Sequence, residues 1–494
     1  MLSIGYDIGS SSIKAAILDI EKGNVIVSGF YPEEEMKINS IKPGFAEQDP
    51  EMWWSHAKHL TRYLIEKNSI DGGQIKSIGI SYQMHGLVIV NKKHEVIRPS
   101  IIWCDSRAVD LGNSAFEKIG KEFCLQHLLN SPGNFTASKL RWLKENEKEN
   151  YNKIYKIMLP GDFIAMKLTG HINTTISGLS EGIFWDFLQH DVSSEVLDYF
   201  EIDKKLIPEI KPAFSVQSKI AKSVAEELGI NREAVVSYRA GDQPNNAFSL
   251  NVLSDGEIAA TAGTSGVVYG VTNKINFDKF SRVNQFAHVN HTKDDTRLGV
   301  LLCVNGTGIQ NSWMRKIIGN NLSYEEMNEK GAEIPIGSDG ITVLPFGNGA
   351  ERILNNKNIG SHILGIDFNW HSHSHLIRAA QEGIAFAFKY GIEIMNEMGL
   401  DIRVIRAGKS NMFLSSIFRQ TLSNITNALI ELYDTDGAQG AARGAAVGAG
   451  YYKSFSEAFQ TLNKMEVITP NKNEIERTSE SYSLWKNKLK MFLE

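Results

Sequence analysis

The stretch YDIGSSSIKAAILD, Tyr6 to Asp19, contains the pattern that decides the fold. Apolar residues alternate with other residues on both sides of a tract of four small residues, Gly9 to Ser12. Alternation with a period of two is typical of β-strands, and a Gly/Ser tract between two such runs is typical of a tight turn. The stretch therefore predicts a hairpin in which Asp7 leads into the turn and Lys14 follows it.

A second hairpin of the same kind is predicted in the other half of the chain. The stretch EIAATAGTSGVVYGV, residues 257–271, is again strand, small-residue turn and strand. Further along, QGAARGAAVGAGYY predicts a helix whose glycines, Gly440, Gly444 and Gly448, recur every four residues and would let a neighbour approach closely. Strand and helix patterns alternate throughout the 494 residues, which predicts an α/β protein with a duplicated lobe and two large domains.

The composition is that of an ordinary globular protein. Lysine and arginine total 52 against 57 aspartates and glutamates, and no basic run is present, so nothing supports binding to nucleic acid or to an anionic membrane. No apolar run approaches membrane-spanning length, and no leader-like segment opens the sequence. We therefore expect a cytoplasmic protein that binds a small molecule. The three cysteines are widely spaced, which excludes a disulfide framework and predicts buried thiols.

The first turn has the chemistry of a phosphate site. Without bulky side chains, the amides and hydroxyls of Ser10, Ser11 and Ser12 can approach an anion closely. Lys14 adds a positive charge, and Asp7 is suited to hold a hydrated Mg²⁺. A plain surface hairpin explains this turn alone equally well.

Two other loops are candidates for nucleotide contact. The turn at Gly263 and Thr264 resembles the first turn, and two such turns, one in each lobe, would clamp a polyphosphate better than either alone. The tripeptide GKS at 408–410 resembles the end of a P-loop, but position 403 is Arg403 where that motif needs glycine, so a P-loop is rejected. The loop from Gly408 to Asn411 remains a candidate for nucleotide binding in another architecture.

Polar residues at strand ends supply candidates for the chemical step. Asp242 lies in RAGDQPNN, where a strand ends and the chain turns; such aspartates are commonly turn formers or caps. An enzyme that transfers a phosphoryl group to an alcohol, however, needs a carboxylate to orient and deprotonate the hydroxyl. Gln83, Met84 and His85 stand at a break between two apolar strands, where a structural histidine and a core methionine are the alternatives to contact with a hydroxyl-rich ligand.

Nine short motifs occur in a single order along essentially the whole chain. They are DIGSSSIK, GFAEQDPEMWW, GISYQMHG, RPSIIWCDSR, LPGDFIAMKLTG, AGDQPNN, AGTSGVVY, LPFGNGAER and AGKSN. In this order the sequence resembles the FGGY family of carbohydrate kinases, and within it the xylulokinases.

The resemblance implies two actin-like, ribonuclease-H-like lobes with ATP and sugar in the cleft between them. It implies an N-terminal lobe at residues 1–246, with the sugar site and the first phosphate hairpin, and a C-terminal lobe at 247–494, with the second hairpin and the adenosine loop. The implied activity is ATP- and Mg²⁺-dependent phosphorylation of D-xylulose to D-xylulose 5-phosphate, by which xylose catabolism feeds the pentose phosphate pathway.

The same resemblance implies roles for individual residues. The catalytic base would be Asp242, the sugar contacts would be Gln83, Met84 and His85, and the residue associated with Mg²⁺ would be Asp7. The ATP contacts would be Ser10, Ser11, Ser12, Lys14, Gly263, Thr264, Gly408 and Asn411.

Several alternatives stay open at the level of sequence. Kinases of the same fold act on ribulose, fuculose, gluconate or glycerol, and the QMHG segment is the only discriminating feature. A non-catalytic sugar sensor or an actin-like or chaperone-like ATPase would need an added helix-turn-helix or peptide-binding domain, which we do not expect here. A homodimer is one open possibility for the oligomeric state.

Overall fold

The computed structural model describes residues 1–318 and 322–494, which form two compact units. The first unit contains Met1–Asn251, Phe286–Leu298 and Thr435–Leu462; the second contains Val252–Gln285, Gly299–Asp434 and Asn463–Glu494. The units are therefore not continuous in sequence, because two later segments return to the first unit. The functional lobes expected at 1–246 and 247–494 stay a prediction.

The strands are short and are distributed along the whole chain. In chain order they are β1 (Leu2–Ile8), β2 (Ile13–Asp19), β3 (Asn24–Tyr31), β4 (Glu47–Gln48), β5 (Ile75–Tyr82), β6 (Val88–Val90), β7 (Ser100–Ile101), β8 (Lys156–Met158), β9 (Asn173–Thr174), β10 (Trp185–Asp186), β11 (Asp191–Val192), β12 (Glu209–Ile210), β13 (Phe214–Lys219), β14 (Val235–Gly241), β15 (Glu257–Ala262), β16 (Gly266–Thr272), β17 (Asn284–Ala287), β18 (Leu298–Val304), β19 (Thr342–Phe346), β20 (Gly360–Leu364), β21 (Val404–Gly408), β22 (Leu429–Tyr433) and β23 (Lys464–Ile468).

The α-helices alternate with these strands. They are α1 (Pro50–Lys67), α2 (Val109–Ile119), α3 (Lys121–Phe123), α4 (Thr136–Asn146), α5 (Lys148–Asn152), α6 (Pro160–Thr169), α7 (Ile176–Glu181), α8 (Ser194–Phe200), α9 (Lys222–Leu228), α10 (Asp242–Ser249), α11 (Gly308–Ile318), α12 (Tyr324–Ala332), α13 (His373–Glu397), α14 (Ser416–Thr426), α15 (Gly437–Gly448), α16 (Phe455–Phe459) and α17 (Ile475–Lys490). Among the described residues, no helix combines the length and apolar character needed to cross a membrane.

One mixed sheet organises the first unit. Its order is β13-β14-β5-β1-β2-β3. Strands β1 and β2 form the antiparallel hairpin predicted from the opening stretch, while β5 lies parallel to both β1 and β14. Every second residue of β1 is apolar and buried, as the alternation requires.

A second sheet repeats this pairing scheme within the second unit. The described strands run in the order β17-β18-β16-β15-β21-β22-β23. Strand β15 pairs antiparallel with β16 across the second small-residue turn and parallel with β21, which is parallel to β22. The hairpin and the two parallel pairings that follow it thus occur once in each unit, as expected for a duplicated α/β lobe.

Helix α1 begins where the sequence predicts. The Asp49 side chain caps the helix by accepting a hydrogen bond from the Glu51 amide, and Pro50 occupies the first turn. The buried face carries Trp53, Leu60 and other apolar residues. The helix packs against β2 and β3 and covers one face of the first sheet.

Helix α15 packs directly against the strands of the first sheet, with backbone contacting backbone. A Cβ at Gly5 of β1 would overlap the backbone of Ala438 and Ala442, and one at Gly79 of β5 would lie 2.6 Å from the carbonyl carbon of Ala441. Gly5 and Gly79 are paired across β1 and β5, so together they form a flat surface for the helix. The spaced glycines of the helix also allow a close approach, as predicted: a Cβ at Gly440 would lie 2.5 Å from Cβ of Ser249, and one at Gly444 would lie 2.7 Å from the Tyr238 ring.

One expectation about the thiols is wrong. Cys124 is buried, but Cys104 and Cys303 are exposed. Cys104 precedes the buried Asp105, and Cys303 stands between the buried Leu302 and Val304, so neighbouring residues do not indicate which thiols are exposed.

Replacing Gly79 by alanine tests the backbone contact under α15. We expect Gly79→Ala to lower the free energy of unfolding by about 1–3 kcal/mol, because the added methyl group must displace helix backbone. Urea unfolding followed by circular dichroism measures the change. Gly73→Ala is the matched control, since a Cβ there meets only the flexible carboxylate of Asp71 at 3.0 Å. Equal stability of the two variants would show that α15 does not need the glycine surface.

Candidate functional site

The turn of the first hairpin is held in place by hydrogen bonds to its backbone. The Gly9 amide donates to the Ser12 carbonyl at 3.1 Å, and the Gln48 side chain donates to the Ser10 carbonyl at 2.7 Å. The Met36 amide donates to the Ser11 carbonyl at 2.7 Å. Because these carbonyl oxygens already accept hydrogen bonds from the protein, the turn offers amides and hydroxyls to a ligand, which suits an anion.

Gln83 supports this hairpin from behind. Its backbone amide donates to the Ile8 carbonyl at 2.9 Å, and its buried side chain donates to Gln48 at 3.3 Å and to the Gly9 carbonyl at 3.4 Å. The structure therefore places Gln83 beside the turn, and its contact with a sugar stays a prediction.

Asp7 lies where β1 meets the start of α15. Its Oδ1 accepts a hydrogen bond from the Ser81 hydroxyl at 2.8 Å, and a Cβ at Gly437 would lie 2.8 Å from its Oδ2. Burial raises the pKa of Asp7, the nearby charge of Asp436 raises it further, and the charge of Lys14 lowers it. Lys14 is the residue directly opposite Asp7 in the hairpin.

Asp242 is the first residue of α10. Burial raises its pKa from 3.8 to about 7, the negative charge of Asp7 adds to this rise, and hydrogen bonds from Gln243 partly offset it. A carboxylate with a pKa near neutral pH is both ionised and able to take up a proton, which is the requirement for a general base.

The pair Asp7 and Asp242 also fits a divalent cation bound together with phosphates. The described residues contain no cluster of three His, Cys, Asp or Glu that would bind a metal without help. Mg²⁺ at phosphate sites characteristically takes one or two carboxylates and keeps several waters, so no protein cage is needed. The mutual repulsion that raises the pKa of Asp242 is the kind of charge that such a cation relieves.

Met84 and His85 lie beside Asp242. A Cβ at Gly241, the residue before Asp242, would lie 2.6 Å from Cγ of Met84. His85 has a positive φ of 62°, and its Nδ1 donates to the Glu181 carbonyl at 2.9 Å. The structure thus brings Met84, His85 and Asp242 into one neighbourhood, and their roles in binding and catalysis stay a prediction.

Aromatic side chains and a buried lysine fix the position of His85. Its ring lies edge-on to Phe135, with centroids 4.7 Å apart, and tilted against Phe286 at 5.3 Å. The buried Lys139 donates to the His85 carbonyl at 2.9 Å and to the Ile102 carbonyl at 3.0 Å, and burial lowers the pKa of Lys139 to about 7. The sequence did not indicate any of these three residues as part of the site.

Glu181 is the acidic residue of this neighbourhood that sequence reasoning missed. It ends α7, is completely buried, and its Oε2 lies 2.5 Å from the position that a Cβ of Gly241 would take. Burial, together with the charges of Asp242 and Asp162, raises its pKa well above the ordinary value. In the sequence, the feature that could have indicated this buried acid is that it is the one charged residue in the stretch GLSEGIF.

The second unit contains a cavity of about 460 Å³ at its own small-residue turn. The Gly263 carbonyl accepts a hydrogen bond from the Gly308 amide at 2.8 Å, so the start of α11 is attached to the turn. The lining residues are Ala262, Gly263, Thr264, Gly308, Ile309, Asn311, Ser312, Tyr324, Asn328, Asn411, Met412, Leu414 and Ser415.

Three of the four predicted ATP contacts of this unit line that cavity. They are Gly263, Thr264 and Asn411, while Gly408 ends β21 outside the lining. Lys409 is turned to another partner, because its Nζ lies 3.2 Å from the Glu466 carboxylate.

Comparison with protein families identifies the chain. A model of the N-terminal domain of the FGGY family of carbohydrate kinases matches residues 2–249, and a model of the C-terminal domain of that family matches residues 258–452. The chain belongs to the FGGY family of carbohydrate kinases. It is an ATP-dependent sugar kinase, and the predicted enzyme class is confirmed.

Relatives that match this kinase over nearly their whole length are called xylulose kinases. The xylulose kinase of Haemophilus influenzae is 28% identical over 497 residues, covering 97% of each chain. The xylulose kinase of Bacillus subtilis is 28% identical over 499 residues, covering 98% of this chain and 96% of the relative.

Solved structures share the fold of the kinase. The ligand-bound xylulose kinase of Lactobacillus acidophilus has a TM-score of 0.89 at 23% identity, covering 99% of this chain and 97% of the other. The gluconate kinase of the same organism has a TM-score of 0.89 at 22% identity, and the ADP complex of Plasmodium falciparum glycerol kinase has 0.88 at 21%. Both of these cover 100% of this chain and 98% of the other. The predicted two-lobed α/β kinase fold is thereby confirmed.

The raised pKa of Asp242 has a measurable effect on the stability of the kinase. Between pH 3.8 and about 7 the unfolded chain releases a proton that the folded protein keeps, so the free energy of unfolding falls as pH rises through this range. We expect Asp242→Asn, which cannot ionise, to be more stable than the wild type at pH 8 and to lose this advantage as the pH falls towards 4. Urea unfolding at several pH values measures the difference.

The control for that prediction is Asp198→Asn, which removes an exposed aspartate of α8. Its stability relative to the wild type should not depend on pH in this way. An Asp242→Asn variant whose stability difference from the wild type stays constant from pH 4 to 8 would contradict the raised pKa.

Proposed function

We propose that this kinase transfers the γ-phosphoryl group of ATP to the 5-hydroxyl of D-xylulose, forming D-xylulose 5-phosphate and ADP. The observation that carries the proposal is the packing of Met84 against Gly241, which brings the Met84-His85 pair next to Asp242. The two relatives described above, called xylulose kinase and matching over nearly the whole chain, support D-xylulose as the acceptor.

In the proposed reaction Asp242 accepts the proton of the acceptor hydroxyl. The hydroxyl oxygen forms a bond to the γ-phosphorus as the bond from that phosphorus to the bridging oxygen of ADP breaks. With a pKa of about 7, the Asp242 carboxylate is ionised in a large fraction of molecules at neutral pH and is basic enough to receive the proton.

The two small-residue turns are proposed to bind the phosphates of ATP. In the first unit, Ser10, Ser11 and Ser12 would supply amides and hydroxyls and Lys14 a positive charge. In the second unit, Gly263 and Thr264 would contact phosphate and Asn411 the adenosine, in the 460 Å³ cavity that these three residues line. Gly408 is proposed to shape the adenosine loop from the end of β21.

Asp7 is proposed to hold Mg²⁺. When bound, the ion would neutralise charge on the phosphates and reduce the repulsion between Asp7 and Asp242. Asp7 itself is oriented by the Ser81 hydroxyl and by the start of α15.

A coupled assay of ADP release tests the proposed substrate. With Mg-ATP and a panel of D-xylulose, L-xylulose, D- and L-ribulose, L-fuculose, gluconate and glycerol, we expect D-xylulose to have the highest kcat/KM. A higher value for another member of the panel would overturn D-xylulose while leaving the kinase assignment intact.

The proposed base is tested by Asp242→Asn with the best acceptor. Loss of the base should lower kcat by about 10²–10⁴-fold, while calorimetry shows that the sugar still binds. Asp198→Asn, on the surface of α8, should retain wild-type kcat. Near-normal phosphorylation by Asp242→Asn would remove Asp242 from the mechanism.

A further inference from the structure

Glu181 is a buried acid whose carboxylate oxygens have no hydrogen bond of full geometry. Its side chain is 0% exposed, and neither carboxylate oxygen makes a hydrogen bond of ordinary geometry within the described residues. The Tyr82 hydroxyl and the His85 amide lie close enough to lower its pKa, but neither reaches the geometry of a full hydrogen bond. Buried polar groups in folded proteins are normally hydrogen-bonded, and an unpaired one costs free energy. The unpaired oxygens of Glu181 therefore suggest that a bound ligand supplies their hydrogen-bond partner.

The buried cations Arg239 and Lys139 have other partners. Arg239 lies 3.0 Å from Asp162 in a buried ion pair, and Lys139 donates to two backbone carbonyls. Neither has Glu181 among its hydrogen-bond or ion-pair partners. Glu181 is therefore not the unpaired half of a structural salt bridge.

The position of Glu181 is fixed by the fold. Thr175 caps α7 by accepting from the Gly178 amide at 3.0 Å, and the Ser180 hydroxyl accepts from the Ala287 amide at 2.9 Å. The Glu181 carbonyl in turn accepts from His85 Nδ1 at 2.9 Å. The carboxylate is thus held against Gly241, and the Glu181 backbone is attached to the His85 ring.

The environment of this carboxyl group also limits what can approach it. Asp242 and Asp162 are close enough for their charges to raise the pKa of Glu181. These charges would repel a ligand that carries a further negative charge. A neutral hydroxyl group is not repelled, and it can both donate a hydrogen bond to a carboxyl group and accept one from it.

We propose that Glu181 selects the acceptor substrate by hydrogen-bonding one hydroxyl group of a neutral polyol. This proposal rests on the function proposed above. It adds a residue that contacts the sugar on the side of the site where Gly241 and Met84 lie. Glu181 contacts substrate but takes no part in the transfer of the phosphoryl group. Aldonates such as gluconate should accordingly be poor acceptors.

Deoxy analogues of the best acceptor test the proposal directly. For the wild type and Glu181→Ala, kcat/KM is measured with the parent sugar and with analogues that each lack one hydroxyl other than the phosphorylated one; for D-xylulose these are the 1-, 3- and 4-deoxy compounds. In the wild type, removal of the hydroxyl read by Glu181 should lower kcat/KM by about 10²-fold or more. We call the factor by which removal of one hydroxyl lowers kcat/KM the penalty for that hydroxyl. In Glu181→Ala the penalty for the hydroxyl bound by Glu181 should shrink to less than about threefold, while the penalties for the other hydroxyls stay as in the wild type.

A purely structural role for Glu181 makes a different prediction. Glu181→Ala would then lower kcat/KM by the same factor for the parent sugar and for every analogue, and all deoxy penalties would stay at their wild-type values; this result overturns the proposal. Glu195→Ala, an exposed glutamate of α8, is the matched control and should reproduce the wild-type penalties.

A second variant covers the case in which Glu181→Ala does not fold. Glu181→Met keeps nearly the length of the side chain but removes both polar oxygens, so it cannot hydrogen-bond a hydroxyl group. It should abolish the same single penalty, and thermal unfolding shows whether the variant is folded. Unchanged penalties in a folded Glu181→Met also overturn the proposal.

The outcome for Glu181 is separable from the outcome for D-xylulose. If another neutral polyol is the best acceptor, the proposed substrate fails, and the deoxy series of that polyol decides the role of Glu181. If gluconate is the best acceptor, both proposals fail. If no sugar is phosphorylated, the proposed function fails, and calorimetric binding of D-xylulose and its deoxy analogues to the wild type and Glu181→Met gives the same comparison of penalties.

Discussion

The contact between helix α15 and strands β1 and β5 is the constraint on which the rest of the first unit depends. Gly5 and Gly79 leave no side chain between the sheet and the helix at these two positions, so the helix backbone lies directly against the strands. The first residue of that helix, Gly437, lies against the carboxylate of Asp7. A packing requirement deep in the sheet therefore determines the surroundings of the acidic residue at its end.

The acidic residues of this neighbourhood influence one another. Burial and Asp7 raise the pKa of Asp242, and burial and Asp242 raise the pKa of Glu181. Each group is held in a position that is unfavourable for an ionised carboxylate in the free protein. Such positions are stable only because the surrounding core compensates for them, and they are typical of sites where protons move or ligands bind.

Much of the fold could be predicted from local pattern. The alternation around Gly9–Ser12, the cap and proline before α1, and the glycine spacing of α15 each indicate an element that the structure contains. What local pattern could not reveal is the return of Phe286–Leu298 and Thr435–Leu462 to the first unit, because that depends on contacts between residues far apart in sequence.

In the candidate site, too, some residues could be predicted from the sequence and others could not. Three of its residues follow strand ends, which is why the sequence indicated them: Met84, His85 and Asp242. The structure brings these three together. Gln83 follows the same strand, yet it binds the hairpin, because the direction of a side chain at a strand end is decided by its neighbours. Lys139 lies within α4 and Glu181 ends α7; charged residues of helices usually face solvent, and only burial distinguishes these two.

We propose that burial and the negative charge of Asp7 raise the pKa of Asp242 so that it can accept a proton from the sugar near neutral pH. The most direct test is the pH dependence of kcat/KM for the best acceptor between pH 5 and 9. The account predicts that kcat/KM falls about tenfold per pH unit below an apparent pKa near 7, because only the ionised carboxylate can act as the base. A kcat/KM that stays constant down to pH 5 would show that no group of this pKa takes part, and it would contradict the account.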